Sequence, residues 1–316
     1  MTKVACKQAI CEELIERARR DKDIVVLTSD SRGSASMAEF ARKLPRQFVE
    51  VGIAEQNLVG IASGLAAAGK KPFIASYAAF VSMRAIEQVK IDVAYSGVNV
   101  KIIGISGGVS YGPLGMSHHA LQDIAFMRAI PGLSVYMPAD QYESKNLIGE
   151  LVNDHSPTYI RVGRNPVEDV YPSKGFNFQI NKANTLQEGT DISIICCGEM
   201  VQTAIAAAAE LDQQKISTRV INMHSIKPLD REAVLRAARE TVSILTLEEH
   251  SIYGGLGSAV AGVLSQQHQL PLKIMGLPDK PVIAGKPAEI MAYYGLDKKG
   301  VVRAVKELLK KSGDRK

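Results

Sequence analysis

No apolar run in this 316-residue sequence approaches the ~20 residues that a membrane span needs. The first 22 residues lack a long apolar core and are rich in charge after Cys11, so no secretory signal is visible. Cysteine is scarce. Cys6, Cys11, Cys196 and Cys197 form no disulfide framework and lack zinc-ligand spacing, so a reducing, cytoplasmic setting is the expectation. There is no Gly-x-x-x-x-Gly-Lys-Ser/Thr phosphate loop and no His-Glu-x-x-His. The glycines from Gly104 to Gly112 do not match the dinucleotide fingerprint and precede no immediate helix. His118 and His119 are adjacent, and no carboxylate cluster accompanies them, so no metal site is read here. The net charge of +5 comes from both signs interspersed, which does not argue for a nucleic-acid partner. The basic stretch from Lys306 to Lys316 reads as a solvated helix end. Internal repeats and low-complexity segments are absent.

What remains is ordinary globular composition, 46% hydrophobic and 22% charged, in a length that suits about two domains. In the first half, short β-branched runs alternate with helical patterns. Lys7 to Arg20 carries an apolar stripe of Ala9, Ile10, Leu14, Ile15 and Ala18, and Ile24 to Thr28 reads as a buried strand. Strands at Phe48–Gly52, Lys71–Ala75, Val98–Ile105, Leu133–Met137 and Thr158–Val162 alternate with helices at Glu55–Ala68, Phe80–Ala94, Leu121–Arg128 and Gln141–Asn153. The Ala- and Gly-rich Glu55 helix is expected to be buried. Such alternation predicts a parallel sheet with helices on both faces. From Asn165 to Thr190 the pattern lapses around Pro166, Pro172, Gly175 and Gly189, a linker with room for an edge strand. It then resumes with strands at Ile192, Thr218, Val242 and Leu272. The expected architecture is two doubly wound α/β domains, 1–165 and the smaller 190–316, joined by the linker 166–189.

Glu55 lies in Val51-Gly-Ile-Ala-Glu-Gln-Asn, at a strand-to-helix turn. An acid in a first turn is favoured by the helix dipole and needs no further explanation. The neighbouring words change that reading. Ser76-Tyr-Ala-Ala-Phe-Val-Ser-Met-Arg, the histidine segment Gly115-Met-Ser-His-His-Ala-Leu-Gln-Asp, Met137-Pro-Ala-Asp, Ile160-Arg-Val-Gly-Arg and Leu247-Glu-Glu-His-Ser-Ile-Tyr-Gly-Gly-Leu-Gly-Ser follow in order. Each is modest alone. Together, over essentially the whole chain, they resemble the pyrimidine-binding and C-terminal domains of the transketolase family of thiamine-diphosphate enzymes. The Gly-Asp-Gly…Asn motif that binds diphosphate and Mg²⁺ in that family does not occur. The resemblance therefore implies half an enzyme: the C-terminal subunit of a split transketolase, with the Mg²⁺ ligands on a separate subunit and an α2β2 assembly.

The resemblance also assigns residues. It implies that Glu55 bonds N1′ of the cofactor's aminopyrimidine, general acid–base work ordinarily worth about 10²–10⁴ in rate. Tyr77 and Phe80 match the family's aromatic positions around that ring, although Phe80 also suits plain core packing. A third such position falls on Met83. Asp30 matches an acid near the cofactor end of the cleft. His118 matches the histidine that contacts substrate oxygens, while His119 matches no role. Arg164 and Ser34 match residues that hold the substrate's terminal phosphate. Lys7 stands where arginine is usual, keeping the charge without the fork. Arg161 has two readings, a second anion ligand or a surface strand residue. Glu248, Glu249 and His250 read as structural. Two positions depart from the family: Ser106 where histidine is common, and Leu114 where an aspartate accepts from a sugar hydroxyl. Those departures suggest a branched, deoxy or otherwise modified sugar, or a different terminal anion such as a sulfonate.

The leading expectation is thus two-carbon ketol transfer from a ketose phosphate or similar anion to an aldose. The β subunit of a 2-oxo-acid dehydrogenase first component, a 1-deoxyxylulose-phosphate synthase-like enzyme and a non-catalytic scaffold subunit are the alternatives.

Overall fold

The computed structural model describes residues 3–173 and 176–313. Gly175 of the linker and the last three residues of the basic tail lie outside them. Helix α1 (Cys6–Arg20) buries Cys6, Ala9, Ile10, Cys11, Leu14, Ile15 and Ala18 on one stripe and ends in Arg17, Arg19 and Arg20, where positive charge suits the dipole. The strands of the first domain are β1 (Ile24–Thr28), β2 (Phe48–Glu50), β3 (Lys71–Tyr77), β4 (Lys101–Ile105), β5 (Ser134–Tyr136) and β6 (Thr158–Arg161). Those of the second are β7 (Asn184–Gln187), β8 (Ile192–Cys196), β9 (Thr218–Asn222), β10 (Ser225–Lys227), β11 (Ile244–Ser251) and β12 (Leu272–Leu277). The first sheet runs β10-β5-β6-β4-β3-β1-β2 and the second β12-β11-β8-β9-β7. β1 to β6 pair in parallel, as do β8, β9, β11 and β12. Both expected α/β sheets are therefore present. No helix among the described residues is long and apolar enough to cross a membrane.

β10 was not expected. This three-residue strand belongs to the second half of the chain but pairs antiparallel with β5 of the first sheet. It is too short for any periodicity to register. One apolar cluster runs through the junction, from Leu27, Leu58 and Val135 to Ile221, Ile226 and Val260. The linker also packs closely: Val167 pairs with Val4, the N–H groups of Val170 and Tyr171 donate to Asp140, and β7 pairs antiparallel with β9.

Two helices differ from expectation. The helical segment expected from Phe80 to Ala94 is not continuous. A short helix, α2 (Ala38–Lys43), precedes α3 (Glu55–Ala67); α4 (Ala78–Val81) then ends in a turn before α5 (Ile86–Gln88), which continues as a π-helical stretch to Tyr95. Neither Gly nor Pro marks the break, so nothing in the pattern announces it. The second difference is α3, which buries Glu55, Leu58, Val59, Ala62 and Ser63 and turns Gln56, Asn57 and Gly64 outward. A Cβ added at Gly60 or Gly64 would meet nothing within 4 Å. The small residues flatten an outer face instead of allowing close packing within the chain.

Candidate active site

Because β1, β2, β3, β4 and β6 are parallel, their C-terminal ends share one rim, the place where open α/β sheets present ligand-binding residues. The segments leaving those ends carry Ser34, Tyr77, Tyr111 and Arg164, and α3 begins with Glu55. The N-terminal part of α1 supplies Lys7.

At one end of the rim two cations converge. Lys7 Nζ donates to the carbonyl of Ser34 at 2.6 Å, and Tyr77 Oη donates to Ser34 Oγ at 2.6 Å. The guanidinium of Arg164 lies 4.3 Å from the centre of the Tyr111 ring, and its Nη1 is buried with no hydrogen-bond partner. Burial, and then the charge of Arg164, lower the Lys7 ammonium below its usual range. The Arg164 contact lowers the Tyr111 hydroxyl first, helped by Tyr77. Like charges held together around an N–H that has no partner among the described residues could receive an anion.

From there a run of rings crosses the rim. Tyr111 and His118 have centroids 5.5 Å apart, His118 and Phe80 5.1 Å, and Tyr77 and Phe80 5.5 Å. His118 Nδ1 shares a hydrogen bond of 3.0 Å with Ser117 Oγ. At the far end Glu55 is 6% exposed at the N-terminus of α3, where the dipole favours its charge. The break after α4 lets Arg84 fold back. Its Nη1 stands 3.3 Å from both carboxylate oxygens of Glu55, and its guanidinium lies 4.0 Å above the Phe80 ring. An open concavity of about 700 Å³ lies here, lined by Ile53, Ala54, Glu55, Gln56, Asn57 and Arg84. A near-buried carboxylate beside a half-buried aromatic ring, with Arg84 lying over both, fits the hydrogen-bonding and stacking needs of an aminopyrimidine once that arginine moves aside.

Glu55, Phe80, Tyr77, His118, Ser34, Lys7 and Arg164 therefore form one group. Met83 is 56% exposed, beyond Phe80 and outside the run of rings. Asp30 is exposed at the end of β1, with φ of +50°, its N–H donating to Glu50 at 2.7 Å. Among the described residues no hydrogen bond joins its carboxylate to the group. Leu114 is 45% exposed, and Ser106 is buried with φ of +57° and an unpartnered Oγ. Tyr111 and Arg84 are additions. Tyr111 sits in a glycine-rich segment between a strand end and His118, a signal that its position could have supplied.

Arg161 corrects both readings given to it. It is 3% exposed beneath the rim, so it is neither a surface residue nor placed to meet an anion in the cleft. Its Nε is 3.3 Å from fully buried Asp123, which accepts from Tyr159 Oη at 2.7 Å. Nη2 donates to the carbonyls of Glu249 and Ala120, at 2.7 and 3.3 Å. Glu199 and Glu249 belong to the same buried cluster at the domain junction. A Cβ at Gly163 would collide with Glu199, and one at Gly108 with Glu249. Glu248 is structural in a defined way: its carboxylate accepts from Leu256 and Gly257, at 2.7 and 2.8 Å, closing the start of a helix at Leu256–Gln267. His119 is buried, with Nε2 3.2 Å from the Gly112 carbonyl.

The junction predicts a pH response. Burial, with Glu249 as the next cause, pushes Glu199 up to about 8, and burial pushes Glu248 up to about 7, from an ordinary 4.5. The folded chain then holds protons that the unfolded chain has released, so stability present below about pH 4.5 is lost as pH rises toward 8. Glu199→Gln is expected to flatten the fall of melting temperature between pH 5 and 8. A slope equal to that of the parent chain would show that Glu199 is already ionised in the fold.

Comparison with known proteins identifies the family. Residues 2–168 match the family model for the transketolase pyrimidine-binding domain, and residues 181–301 that for the transketolase C-terminal domain. The chain is 49% identical over 308 residues to a subunit of the apulose-4-phosphate transketolase of Phocaeicola vulgatus, covering 98% of each. It is 38% identical over 302 residues to the 6-deoxy-6-sulfo-D-fructose transketolase subunit SqwH of a Clostridium species, covering 96% of this chain and 94% of that one. A solved structure described as a split gene transketolase, an inactive beta4 tetramer, superposes with a TM-score of 0.88 at 36% identity, over 98% of this chain and 99% of that one. The chain belongs to the transketolase family, as the subunit of a two-chain transketolase that carries the pyrimidine-binding and C-terminal domains.

Proposed function

We propose that this subunit, together with a separate diphosphate-binding subunit, transfers a two-carbon ketol unit from a branched or otherwise modified ketose with a terminal anion to an aldose. The observation that carries the reading is the layout of the rim: a buried carboxylate and an aromatic face at one end, two converging cations at the other, and His118 between them. Apulose 4-phosphate is the first donor to try, given the relative at 49% identity, and a sulfonated ketose the second.

Thiamine diphosphate, when bound, supplies the nucleophilic carbon and the electron sink. Glu55 would hold the aminopyrimidine through N1′ and share a proton there, with Phe80 and Tyr77 against the ring. Displacement of Arg84 from Glu55 and Phe80 would free both. His118 would donate to or accept from substrate oxygens, and Lys7, Arg164 and the Ser34–Tyr77 pair would hold the terminal anion. The mouth of the site exposes Ile53, at 76%, with Met83 and Leu114. An apolar rim beside the flat face of α3 supports a covering partner. We assign Mg²⁺ and its ligands to that partner, the assembly to α2β2, and the location to a reducing cytoplasm, in keeping with four free buried cysteines.

The test is reconstitution with the candidate diphosphate-binding subunit, thiamine diphosphate and Mg²⁺, following ketol transfer by mass across a donor panel. Decarboxylation of a 2-oxo acid without ketol transfer would overturn the assignment, as would stable assembly with neither activity. Arg164→Ala is expected to raise KM for an anionic donor about 10–100-fold, the worth of a charge-assisted hydrogen-bond pair, and to change kcat by less than about threefold. An unchanged KM would remove Arg164 from the anion site.

A further inference from the structure

The loop that carries Tyr111 and His118 belongs to the first domain, but much of what fixes it comes from the second. Its neck is a reciprocal pair: Gly108 N–H donates to the Ala120 carbonyl at 3.0 Å and Ala120 N–H to Gly108 at 2.9 Å. One residue inside the neck, Val109 N–H donates to Glu249 Oε1 at 2.6 Å. Arg161 Nη2 links the Ala120 carbonyl at the other side of the neck to the Glu249 carbonyl. Ser251 N–H donates to Leu121, and Gly285 N–H to Gly112. The other side-chain bonds to the loop's backbone come from within it, at Ser110, Ser117 and His119. Glu249 is thus the one side chain of the second domain, among the described residues, that hydrogen-bonds this backbone.

The approach is also built for it. Gly108 has φ of +63°, and a Cβ there would collide with the Glu249 carboxylate. Glu249 stands on β11 in the irregular stretch between the paired residues Leu247 and Ser251, where its carbonyl accepts from Arg161 Nη2 at 2.7 Å. A short, part-buried carboxylate hydrogen bond to one N–H, two residues before Tyr111 and nine before His118, fixes the direction in which the loop leaves its neck.

We propose that Glu249 is a positioning residue: from the second domain it holds the Val109 backbone and so sets the places of Tyr111 and His118 at the rim. The catalytic half of this inference rests on the proposed ketol transfer; the structural half does not.

The discriminating pair is Glu249→Gln and Glu249→Met. Both are neutral and similar in length and volume, and only glutamine can still accept from Val109. Hydrogen exchange read at residue level on the full chain comes first. In the parent, Val109 N–H should be as protected as the neck pair. In Glu249→Met, exchange of residues 109–119 should rise at least about tenfold, while β3, β8 and the rest of the chain stay within about twofold. Glu249→Gln should stay close to the parent. In the reconstituted enzyme Glu249→Met should lose about 10–100-fold in kcat/KM, through both kcat and KM, and Glu249→Gln less than about fivefold. Fast exchange of Val109 in the parent overturns the proposal without any variant, even if Glu249→Met fails to fold. So does equal behaviour of Gln and Met, or local opening in Met with kcat/KM unchanged. If the parent pair shows no ketol transfer, the functional assignment fails, and the exchange data still decide what Glu249 holds.

Discussion

Glu55→Gln is expected to lower kcat for ketol transfer by about 10²–10⁴, that is about 3–5 kcal/mol of transition-state stabilisation, with little change in assembly or stability. Glutamine has nearly the same shape and can still accept a hydrogen bond at the start of α3. What it cannot do is share a proton at the ring nitrogen of the cofactor. The surroundings make the substitution mild for the fold. Among the described residues the Glu55 carboxylate has one polar partner, the half-exposed Arg84, at 3.3 Å, and that arginine retains the Phe80 face when the carboxylate is gone. The measurements are steady-state rates on the reconstituted enzyme beside size-exclusion profiles and melting curves. Full turnover by Glu55→Gln would remove Glu55 from the chemistry, whereas loss of assembly would make it an interface residue.

Arg161→Met should act on the other axis. It is expected to cost about 3–5 kcal/mol of folding stability, because it strips the counter-charge from groups that cannot reach water. Asp123 is fully buried, and the Arg161 charge also offsets the burial of the Glu249 carboxylate. Adding Asp123→Asn should restore part of the loss: the amide oxygen still accepts from Tyr159, and the uncompensated charge is gone. Urea unfolding of the two variants and the parent gives the answer. A stable Arg161→Met with only a raised KM for anionic donors would reinstate Arg161 as a substrate ligand and refute its placement beneath the rim.

The contrast between Arg161 and Arg164 shows where sequence reasoning stops. The two are three residues apart at the end of one strand, and both are arginines near a site. Which faces the cleft depends on the pleat and on whether a carboxylate waits below, and Asp123 is 38 positions away with nothing to announce the pairing. The strands themselves were plain, since runs such as Ile24–Thr28 and Ile192–Cys196 are apolar on both faces, as buried parallel strands must be. Glu55, Phe80 and His118 were legible through their surrounding words. Arg84 was not, because its place depends on a helix break with no Gly or Pro to mark it. Tyr111 was hidden by a loop whose course is set from another domain. The outer face of α3 was misread because small residues suit an open, flat surface as well as close packing within a chain.

The short strand β10 has a consequence for synthesis and for evolution. A ribosome that has released the first 168 residues has delivered a sheet whose outermost paired strand, β5, still waits for its neighbour. That bare edge closes only when residues 225–227 emerge, almost sixty positions later. In the interval it is a sticky template for any extended segment nearby. The unit of inheritance is therefore the two-domain chain: a cut at the linker would leave one piece with an open edge and the other with an orphan strand. The flat outer face of α3 carries no such debt, because a contact made there through side chains alone can be parted and remade without opening a sheet.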